Sequence, residues 1–454
     1  MKYKVLLLFF AMVSCYTVFG QSQILNEYVE RGIRNNLDVR ATTLDRIKQE
    51  IKIEQAAKLW LPSVDLSTTY LLAEGGRTIN FPVGDLFNPA YATLNQLTMS
   101  NSFPTDLENV ETQLTPTNFI DAQINVTKPL INSSIRFNQK IQTELLALSQ
   151  VDQKLTEQEV AFNIRTAYFN HLQSVEALSI LGESENLLNQ VLDFNRKLVR
   201  FDKATMDIVS DVEFQIEALR SQRATLLEQN EMSKRFFNLL INEPLESDII
   251  IDPELRNIDI DDHAGSLQSW IEQAKQNRLE YGKINKAVEI NQLSQDMTKS
   301  ESQPELAIFG GVGLQTESFD FNDGGPLFTL GLGLKMNLFD GGMRNKRVEE
   351  LTVDREILEN DKKRLNQKVQ IEVANAYYGL LSVYARYQAQ LAAEENATVS
   401  FNLINTKYEN NKALLIELLQ AQNKLTLSRM EKSVIKYQYL IKRAELLKAL
   451  GSNI

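Results

Sequence analysis

Two long stretches of this sequence contain almost no helix-breaking residues. Residues 134–200 hold no proline and one glycine, Gly182, and residues 343–407 likewise hold only Gly379. At the rise of about 1.5 Å per residue of an α-helix, a stretch of about 67 residues would measure about 100 Å. Apolar residues recur every seven positions in both stretches, which is typical of a coiled-coil seam. Helices of this length outrun a globular core, so we expect them to pack side by side.

The composition narrows the classes of function. With 19 Gly and 10 Pro in 454 residues, turn formers are too few for a many-turned β protein such as a large monomeric porin. The formal charge of −11 argues against nucleic acid as a partner. Two His and one Cys nearly exclude a His/Cys metal site and a Cys/His nucleophile pair. We therefore expect no cofactor, no metal and no enzymatic activity.

The N-terminus predicts export. Lys2 and Lys4 precede the apolar run 5–13, and residues 1–20 are identified as a secretory signal peptide. A lipobox-like motif ending at Cys15 is the alternative. No later stretch approaches the roughly 18 apolar residues of a transmembrane helix, so any membrane span must be built from β-strands.

The chain is a tandem repeat. Residues 35–38 (NNLD) resemble residues 277–280 (NRLE), and residues 61–63 (LPS) resemble residues 303–305 (QPE), both at an offset of 242 (277 minus 35, 303 minus 61). After the strands, the offset falls to 208 or 209. The first half therefore carries about 34 additional residues, which lie inside residues 73–116.

The further repeat matches set these boundaries. Residues 130–136 match residues 338–344, and residues 160–169 match residues 369–378. We expect a first repeat at 21–241, a linker at 242–266 and a second repeat at 267–454. Each repeat should contain a helix before its strands (24–60 in the first), a β-hairpin, a long helix and a return helix (205–241 and 413–450).

The hairpins are expected at 63–128 and 305–337. Each contains two segments in which apolar residues alternate with small or polar ones, as in an outer-membrane strand that faces lipid on one side and water on the other. The expected lipid-facing rows include Leu330, Leu332, Leu334, Ile124 and Val126. A half-buried sheet in a soluble domain is the alternative. The insertion 73–116 has Pro82, Pro89 and Pro104 among polar residues and should be an extracellular loop.

Four strands cannot close a barrel, because about eight are needed before side chains fit inside. Open strand edges are not tolerated in lipid. The chain must therefore associate with other chains. Two copies would supply eight strands and three would supply twelve, and this arithmetic alone leaves the number open.

Taken together, these motifs resemble the TolC-like outer-membrane efflux protein family over nearly the whole mature length. The resemblance is carried by the duplication, by residues 57–62 before the first strand, and by residues 128–130 and 336–342 before the long helices. It implies a mainly α protein with a small transmembrane β part: a homotrimer with a 12-stranded β-barrel in outer-membrane lipid and a 12-helix α-barrel across the periplasm. The linker 242–266 would lie at the equator of that α-barrel.

The resemblance also implies a function. The chain would be the exit channel of a tripartite efflux pump, engaged by a periplasmic adaptor protein and an inner-membrane transporter. The outer-membrane component of a type I secretion system is one alternative, and a periplasmic coiled-coil spacer or adaptor without a pore is another.

The turns between the long and return helices should carry the periplasmic aperture. By resemblance, the aperture residues are Glu417, Tyr408 and Gln420, with Asp207 and Asp211 as candidates from the first turn. A solvated helix-surface carboxylate is the alternative for Glu417. Adaptor contact is expected at the turns themselves, at Phe201, Ala204, Thr205, Asn411 and Lys412. Ala204 and Asn411 stand where the family has the glycine of each turn.

Overall fold

The computed structural model describes residues 22–256, 260, 265–317 and 325–452. The predicted signal peptide, Cys15 and two parts of the predicted linker (257–259 and 261–264) lie outside these residues. The chain forms two compact units. One comprises Met1–Glu50, Glu144–Ile290 and Asp354–Ile454, and the other comprises Ile51–Thr143 and Asn291–Val353.

The described residues are mainly helical. The helices are α1 (Gln23–Asn35), α2 (Leu37–Lys58), α3 (Val83–Thr98), α4 (Ser133–Arg200), α5 (Asp207–Leu240), α6 (Leu267–Asn277), α7 (Leu279–Ser300), α8 (Met343–Glu409) and α9 (Leu415–Ala449). The strands are β1 (Ser63–Leu72), β2 (Thr78–Phe81), β3 (Val110–Gln113), β4 (Asn118–Ile131), β5 (Glu305–Thr316) and β6 (Gly325–Lys335). As the scarcity of proline and glycine predicted, α4 and α8 are uninterrupted over 68 and 67 residues.

In the first unit, the parts of four helices pack in the order α5, α4, α9, α8. The α4–α5 contact includes a bond of 3.0 Å between His171 Nδ1 and Ser233 Oγ. The α4–α9 contact includes the hydroxyls of Ser184 and Thr426, which lie 2.6 Å apart. In the α9–α8 contact, Gln390 donates to the carbonyl of Ser428 at 2.9 Å. The return helix α9 therefore joins the two repeats, because it packs on α4 of the first and on α8 of the second.

The helix expected at 24–60 is broken at Asn36. Asn36 has an extended backbone, and its side-chain oxygen accepts from the backbone N–H of Asp38 at 2.8 Å, which caps α2. Its side-chain nitrogen donates to the carbonyl of Leu240 at the end of α5, at 2.9 Å. The expectation of one continuous helix was wrong, because an internal asparagine cap competes with the helical pattern.

The second repeat contains the equivalent break at Arg278, between α6 and α7. The end of α9 packs on this break as the end of α5 packs on the first. A Cβ placed on Gly451, which has φ +67°, would lie 2.9 Å from the backbone nitrogen of Arg278. Each return helix therefore ends against the break that precedes a hairpin.

Two tyrosines fix the linker after α5. Tyr168 of α4 donates to the carbonyl of Ile250 and accepts from the N–H of Asp252, both at 2.9 Å. The N–H of Ile250 donates to the hydroxyl of Tyr28 at 2.9 Å. Burial raises the pKa of Tyr168 to about 12, so this hydroxyl keeps its proton at physiological pH.

The second unit contains an antiparallel sheet with the order β1-β4-β5-β6. Its register places one row of apolar residues from every strand on the same face. Val126 pairs with Val64 and Gly310, and Gly310 pairs with Leu330. The adjacent register, Asp65–Asn125–Gly311–Thr329, lies on the opposite face and is polar or small. The sheet therefore has one apolar and one polar face.

The insertion 73–116 was expected to be a loop, and this was wrong. It contains α3 and the paired strands β2 and β3. Pro82 stands just before the first turn of α3, where a missing N–H costs no helical hydrogen bond. Asn88 exchanges two hydrogen bonds with the backbone of Leu107 at 2.8 and 2.9 Å, and Asn95 does so with Phe103 at 2.7 and 3.0 Å.

Among the described residues, no helix is both long and apolar enough to cross a membrane.

The break at Asn36 yields a testable prediction. Asn36→Ala removes the cap of α2 and the bond to α5, so we expect the free energy of unfolding to fall by about 1–2 kcal/mol. Asn35→Ala, at an exposed neighbouring position, is the control. Thermal unfolding followed by circular dichroism measures both, and equal shifts in the two variants would contradict the assignment.

Candidate functional site

The turn between α4 and α5 is built around Asp202. Asp202 has φ +52°, its N–H donates to Val199 O at 3.0 Å, and the N–H of Lys203 donates to Leu198 O at 2.9 Å. This pattern closes a helix with one residue in the left-handed conformation. Phe201 beside it is 68 % exposed. The turn therefore presents an aromatic side chain to its surroundings.

The turn between α8 and α9 repeats this geometry around Asn411. Asn411 has φ +54°, its N–H donates to Tyr408 O at 2.9 Å, and the N–H of Lys412 donates to Lys407 O at 2.7 Å. Asp202 and Asn411 are separated by 209 residues (411 minus 202), which is the offset of the sequence repeat. Both turns therefore descend from one pattern with an Asp or Asn at the left-handed position.

The sequence analysis expects the glycines of the family's two turns at Ala204 and Asn411. In the structure, the residues in the left-handed conformation are Asp202 and Asn411, and Ala204 is half-buried farther along the first turn.

Glu417 lies in the first turn of α9 and is exposed. Its Oε2 accepts from the N–H of Leu414 at 2.8 Å, so the carboxylate satisfies one of the free donors at the helix start. A negative charge is also favourable at this end of the helix dipole. One turn later, the exposed Gln420 lines a groove of about 400 Å³ together with Gln390 of α8.

Asp207 and Asp211 lie in the first turns of α5 and are both exposed. Thr205 donates a hydrogen bond from its hydroxyl to Asp207 Oδ1. Asp207 therefore has a local role at the start of α5, where the helix dipole favours a carboxylate. The exposure of Asp211 leaves its carboxylate open to solvent.

Tyr408 is the one predicted aperture residue that is buried, with 8 % of its surface exposed. Its hydroxyl donates to Asn195 Oδ1 on α4 at 2.5 Å, and its ring packs against Phe194 at 5.8 Å between centroids. Burial raises the pKa of Tyr408 above its ordinary value, so the hydroxyl remains a donor at physiological pH. Tyr408 thus ties the end of α8 to α4.

Asn195 was not predicted from the sequence. It is fully buried, and its Nδ2 has no hydrogen-bond partner, so its bond to Tyr408 is the polar contact that compensates for its burial. A buried asparagine on an apolar heptad position is the signal that identifies it in retrospect. Its partner lies 213 residues away, and that distance cannot be read from spacing within one helix.

Among the described residues, no group of three or more His, Cys, Asp or Glu side chains converges as a metal site would.

The apolar face of the sheet is the second candidate surface. Leu330, Leu332 and Leu334 of β6 are 67–71 % exposed, and Ile124 and Val126 of β4 are 45 % and 39 % exposed. The register places all five on one face, as the alternation predicted. A row of large apolar side chains with this exposure is too extensive for a surface that contacts only water.

Comparisons with known proteins agree with these features. Residues 270–452 match the family model described as outer membrane efflux protein. The chain is 20 % identical to the outer membrane protein TolC of Escherichia coli over 469 aligned positions, which cover 97 % of this chain and 84 % of TolC. TolC of Salmonella enteritidis matches to the same degree over 466 positions.

Solved structures share the fold. The Campylobacter jejuni CmeC outer membrane channel superposes with a TM-score of 0.69 at 14 % identity and covers 94 % of this chain and 86 % of its own. The Neisseria gonorrhoeae MtrE outer membrane channel, solved in its open state, gives 0.70 at 14 % identity with coverage of 94 % and 89 %. These matches confirm the resemblance to TolC-like proteins and the expected location. By these matches the chain is similar to outer membrane efflux proteins, and residues 270–452 carry the match to their family model.

Proposed function

We propose that this chain is the exit channel of a tripartite efflux pump, a passive duct engaged by a periplasmic adaptor and an inner-membrane transporter. The observation that carries the proposal is the two-faced sheet. Its apolar rows suit contact with lipid, and its polar face, with Asp65, Asn125 and Thr329, suits a water-filled interior. A periplasmic spacer without a pore would have no use for such rows.

The functional form is a homotrimer. Each chain supplies four strands to the sheet and four helices to the row α5, α4, α9, α8, so three chains supply twelve of each. Twelve strands close a β-barrel of sufficient width for a duct, and twelve helices close an α-barrel. The helical turns at Asp202 and Asn411 then form the periplasmic aperture and the adaptor contact, which includes Phe201, Thr205 and Lys412.

Membrane fractionation and planar-bilayer recording test this function. We expect the protein in the outer-membrane fraction, and we expect the purified protein to form discrete conducting channels. A water-soluble monomer without conductance would contradict the proposal.

The lipid-facing assignment predicts an asymmetry between neighbouring positions of β6. Leu332→Lys places a charge on the apolar face, which costs about 2–4 kcal/mol near the bilayer centre, so the amount of folded protein in the outer membrane should fall severalfold. Thr329→Lys, on the polar face of the same strand, should leave that amount close to the wild-type level. Quantification of folded protein in isolated outer membranes distinguishes the two. An equal loss of folded protein in both variants would contradict the assignment of the apolar face to lipid.

Glu417 should set the charge selectivity of the aperture. Three carboxylates at one constriction attract cations and repel anions. Glu417→Gln keeps an oxygen acceptor for the N–H of Leu414 but removes the charge, so the cation-to-anion permeability ratio should fall. Reversal potentials in a salt gradient measure it, with Glu356→Gln on the exposed face of α8 as the control. An unchanged ratio would place Glu417 off the pore.

The bond between Tyr408 and Asn195 should hold the aperture in its narrow form. Tyr408→Phe leaves Asn195 buried with neither end of its amide paired, which costs about 1–3 kcal/mol. We expect a larger or more frequently open single-channel conductance.

The control is Tyr384→Phe, at a half-buried tyrosine for which the described contacts include no hydroxyl hydrogen bond. A conductance that responds equally to both substitutions, or to neither, would show that the Tyr408 hydroxyl does not restrain the aperture.

A further inference from the structure

The helix α3 of the insertion 73–116 turns a polar side toward the rest of the chain. Four positions at helical spacing form the side that packs on the returning segment: Gly84, Asn88, Tyr91 and Asn95. The two asparagines bind the backbone of Leu107 and Phe103 there, and the ring centroids of Tyr91 and Phe103 lie 5.7 Å apart. The inward side of α3 is therefore held mainly by polar contacts.

The opposite side of α3 is apolar and exposed. It lies two residues, or about 200°, around the helix and contains four positions at the same spacing: Leu86, Ala90, Thr93 and Leu97. Leu86 and Leu97 are 66 % and 75 % exposed. A surface helix of a water-soluble protein shows the reverse, with its apolar side inward and its polar side outward. The outward side of α3 therefore suits an apolar environment.

The surface around α3 is also poor in charge. The helix contains one charged residue, Asp85, and its carboxylate accepts a hydrogen bond from Asn109 Nδ2 at 3.0 Å. Further apolar side chains lie at both ends of the helix. Just before it, Phe81 pairs with Val110, and the two are 50 % and 49 % exposed. Directly after it, Met99 is 95 % exposed. The exposed apolar surface thus extends beyond the helix itself.

The length of β1 relates α3 to the lipid that the proposed channel contacts. The ten residues of β1 measure about 33 Å along the strand. At the usual tilt, this length crosses the apolar band of an outer-membrane sheet, which is about 25 Å tall. Residues 73–82 are all that separate the end of β1 from α3. The insertion therefore begins where the apolar band ends.

The insertion continues the ribbon of β1 and β4 and bends it near its base. Beyond β1, the N–H of Ala73 donates to Thr117 O at 3.0 Å, and the N–H of Leu114 donates to Arg77 O at 2.9 Å. Between these bonds one strand advances by four residues (77 minus 73) and the other by three (117 minus 114). An extra residue of this kind makes a bulge, and a bulge bends the strand. The bend lies at Gly75 and Gly76, which have φ +77° and +115°.

We infer that α3 lies in the outer leaflet of the membrane, along its surface, with Leu86 and Leu97 in contact with lipid acyl chains. Its 16 residues measure about 24 Å, which is less than the hydrocarbon thickness of about 30 Å. A helix with one apolar side lies in the plane of the interface and buries that side at the boundary of the acyl chains. The inference rests on the proposed outer-membrane channel and adds a lipid contact outside the sheet.

Fluorescent labels at two positions of α3 test this contact. Cys15 is the only cysteine of the chain, so a Cys15→Ser background leaves one labelling site in each variant. Leu97→Cys carries an NBD fluorophore on the outward side. Ala92→Cys is the matched control, because Ala92 is also exposed but lies about 140° around the helix. Both proteins are reconstituted in phosphatidylcholine vesicles whose acyl chains are brominated or plain.

Bromine atoms in the acyl chains quench a label in lipid, and iodide on both sides of the bilayer quenches a label in water. We expect brominated lipid to quench the label at residue 97 more strongly than the label at residue 92, and iodide to do the opposite. Leu86→Cys, on the same side as Leu97, should behave as Leu97→Cys does. A label at residue 97 that only iodide quenches would place this side of α3 in water and overturn the inference. A label that neither agent quenches would show that protein covers α3, which also overturns it.

Ion conductance of the same vesicles separates the inference from the function on which it rests. Conducting channels with the label at residue 97 in lipid support the inference. Conducting channels with that label in water, or covered by protein, overturn the lipid contact of α3 and leave the proposed channel intact. Vesicles that conduct no ions and show no quenching by brominated lipid overturn both.

Discussion

The rest of this structure depends on two features that lack a partner within the chain: the outer edges of the sheet and the apolar faces of the outer helices. Among the described strands, β1 and β6 each pair on one side only. The outer helices α5 and α8 of the row in the first unit expose large apolar side chains, such as Phe214 and Tyr378. Unpaired backbone groups in lipid cost several kcal/mol each. Exposed apolar surface costs about 25 cal/mol per Å². In the proposed homotrimer, neighbouring copies of the chain would cover both features.

The polar contacts between α4 and α9 specify how the two repeats align. Glu176 of α4 accepts from Lys436 and, at 2.8 Å, from the hydroxyl of Tyr437, and the ammonium group lies 4.7 Å from the Tyr437 ring centroid. Lys436 is only 4 % exposed. Buried ion pairs contribute little net stability but penalise every register that separates the partners. Along this contact the acidic groups lie on α4 and the basic groups on α9, at Glu159–Lys448, Glu176–Lys436 and Glu183–Arg429.

Periodicity predicted the elements that are long and regular. The ends of α4 and α8, the four strands of the sheet and their apolar face could be read from the sequence, since each depends on a local repeat of side-chain polarity. The resemblance to TolC-like proteins rested on the same features. The positions that the sequence failed to predict are those at which one residue interrupts a pattern.

Asn36 shows why such interruptions cannot be predicted from side-chain periodicity. The repeat analysis matched residues 35–38 to residues 277–280 without recognising that both mark a helix break, because the deciding contacts come from the ends of α5 and α9. The helix α3 was missed for a related reason: Pro82 and Pro89 suggested a loop, whereas Pro82 precedes the helix and side chains of α3 bind the returning chain. Asn195 stands on an apolar heptad position, but that local signal does not reveal its role, since its partner Tyr408 lies in the other repeat.

The coverage of the strand edges is the central claim, and hydrogen–deuterium exchange of the purified, assembled protein tests it most directly. If neighbouring copies pair with β1 and β6, the backbone amides of these edge strands should exchange as slowly as those of the inner strands β4 and β5. Amides of β1 and β6 that exchange within seconds, while those of β4 and β5 remain protected, would contradict the claim.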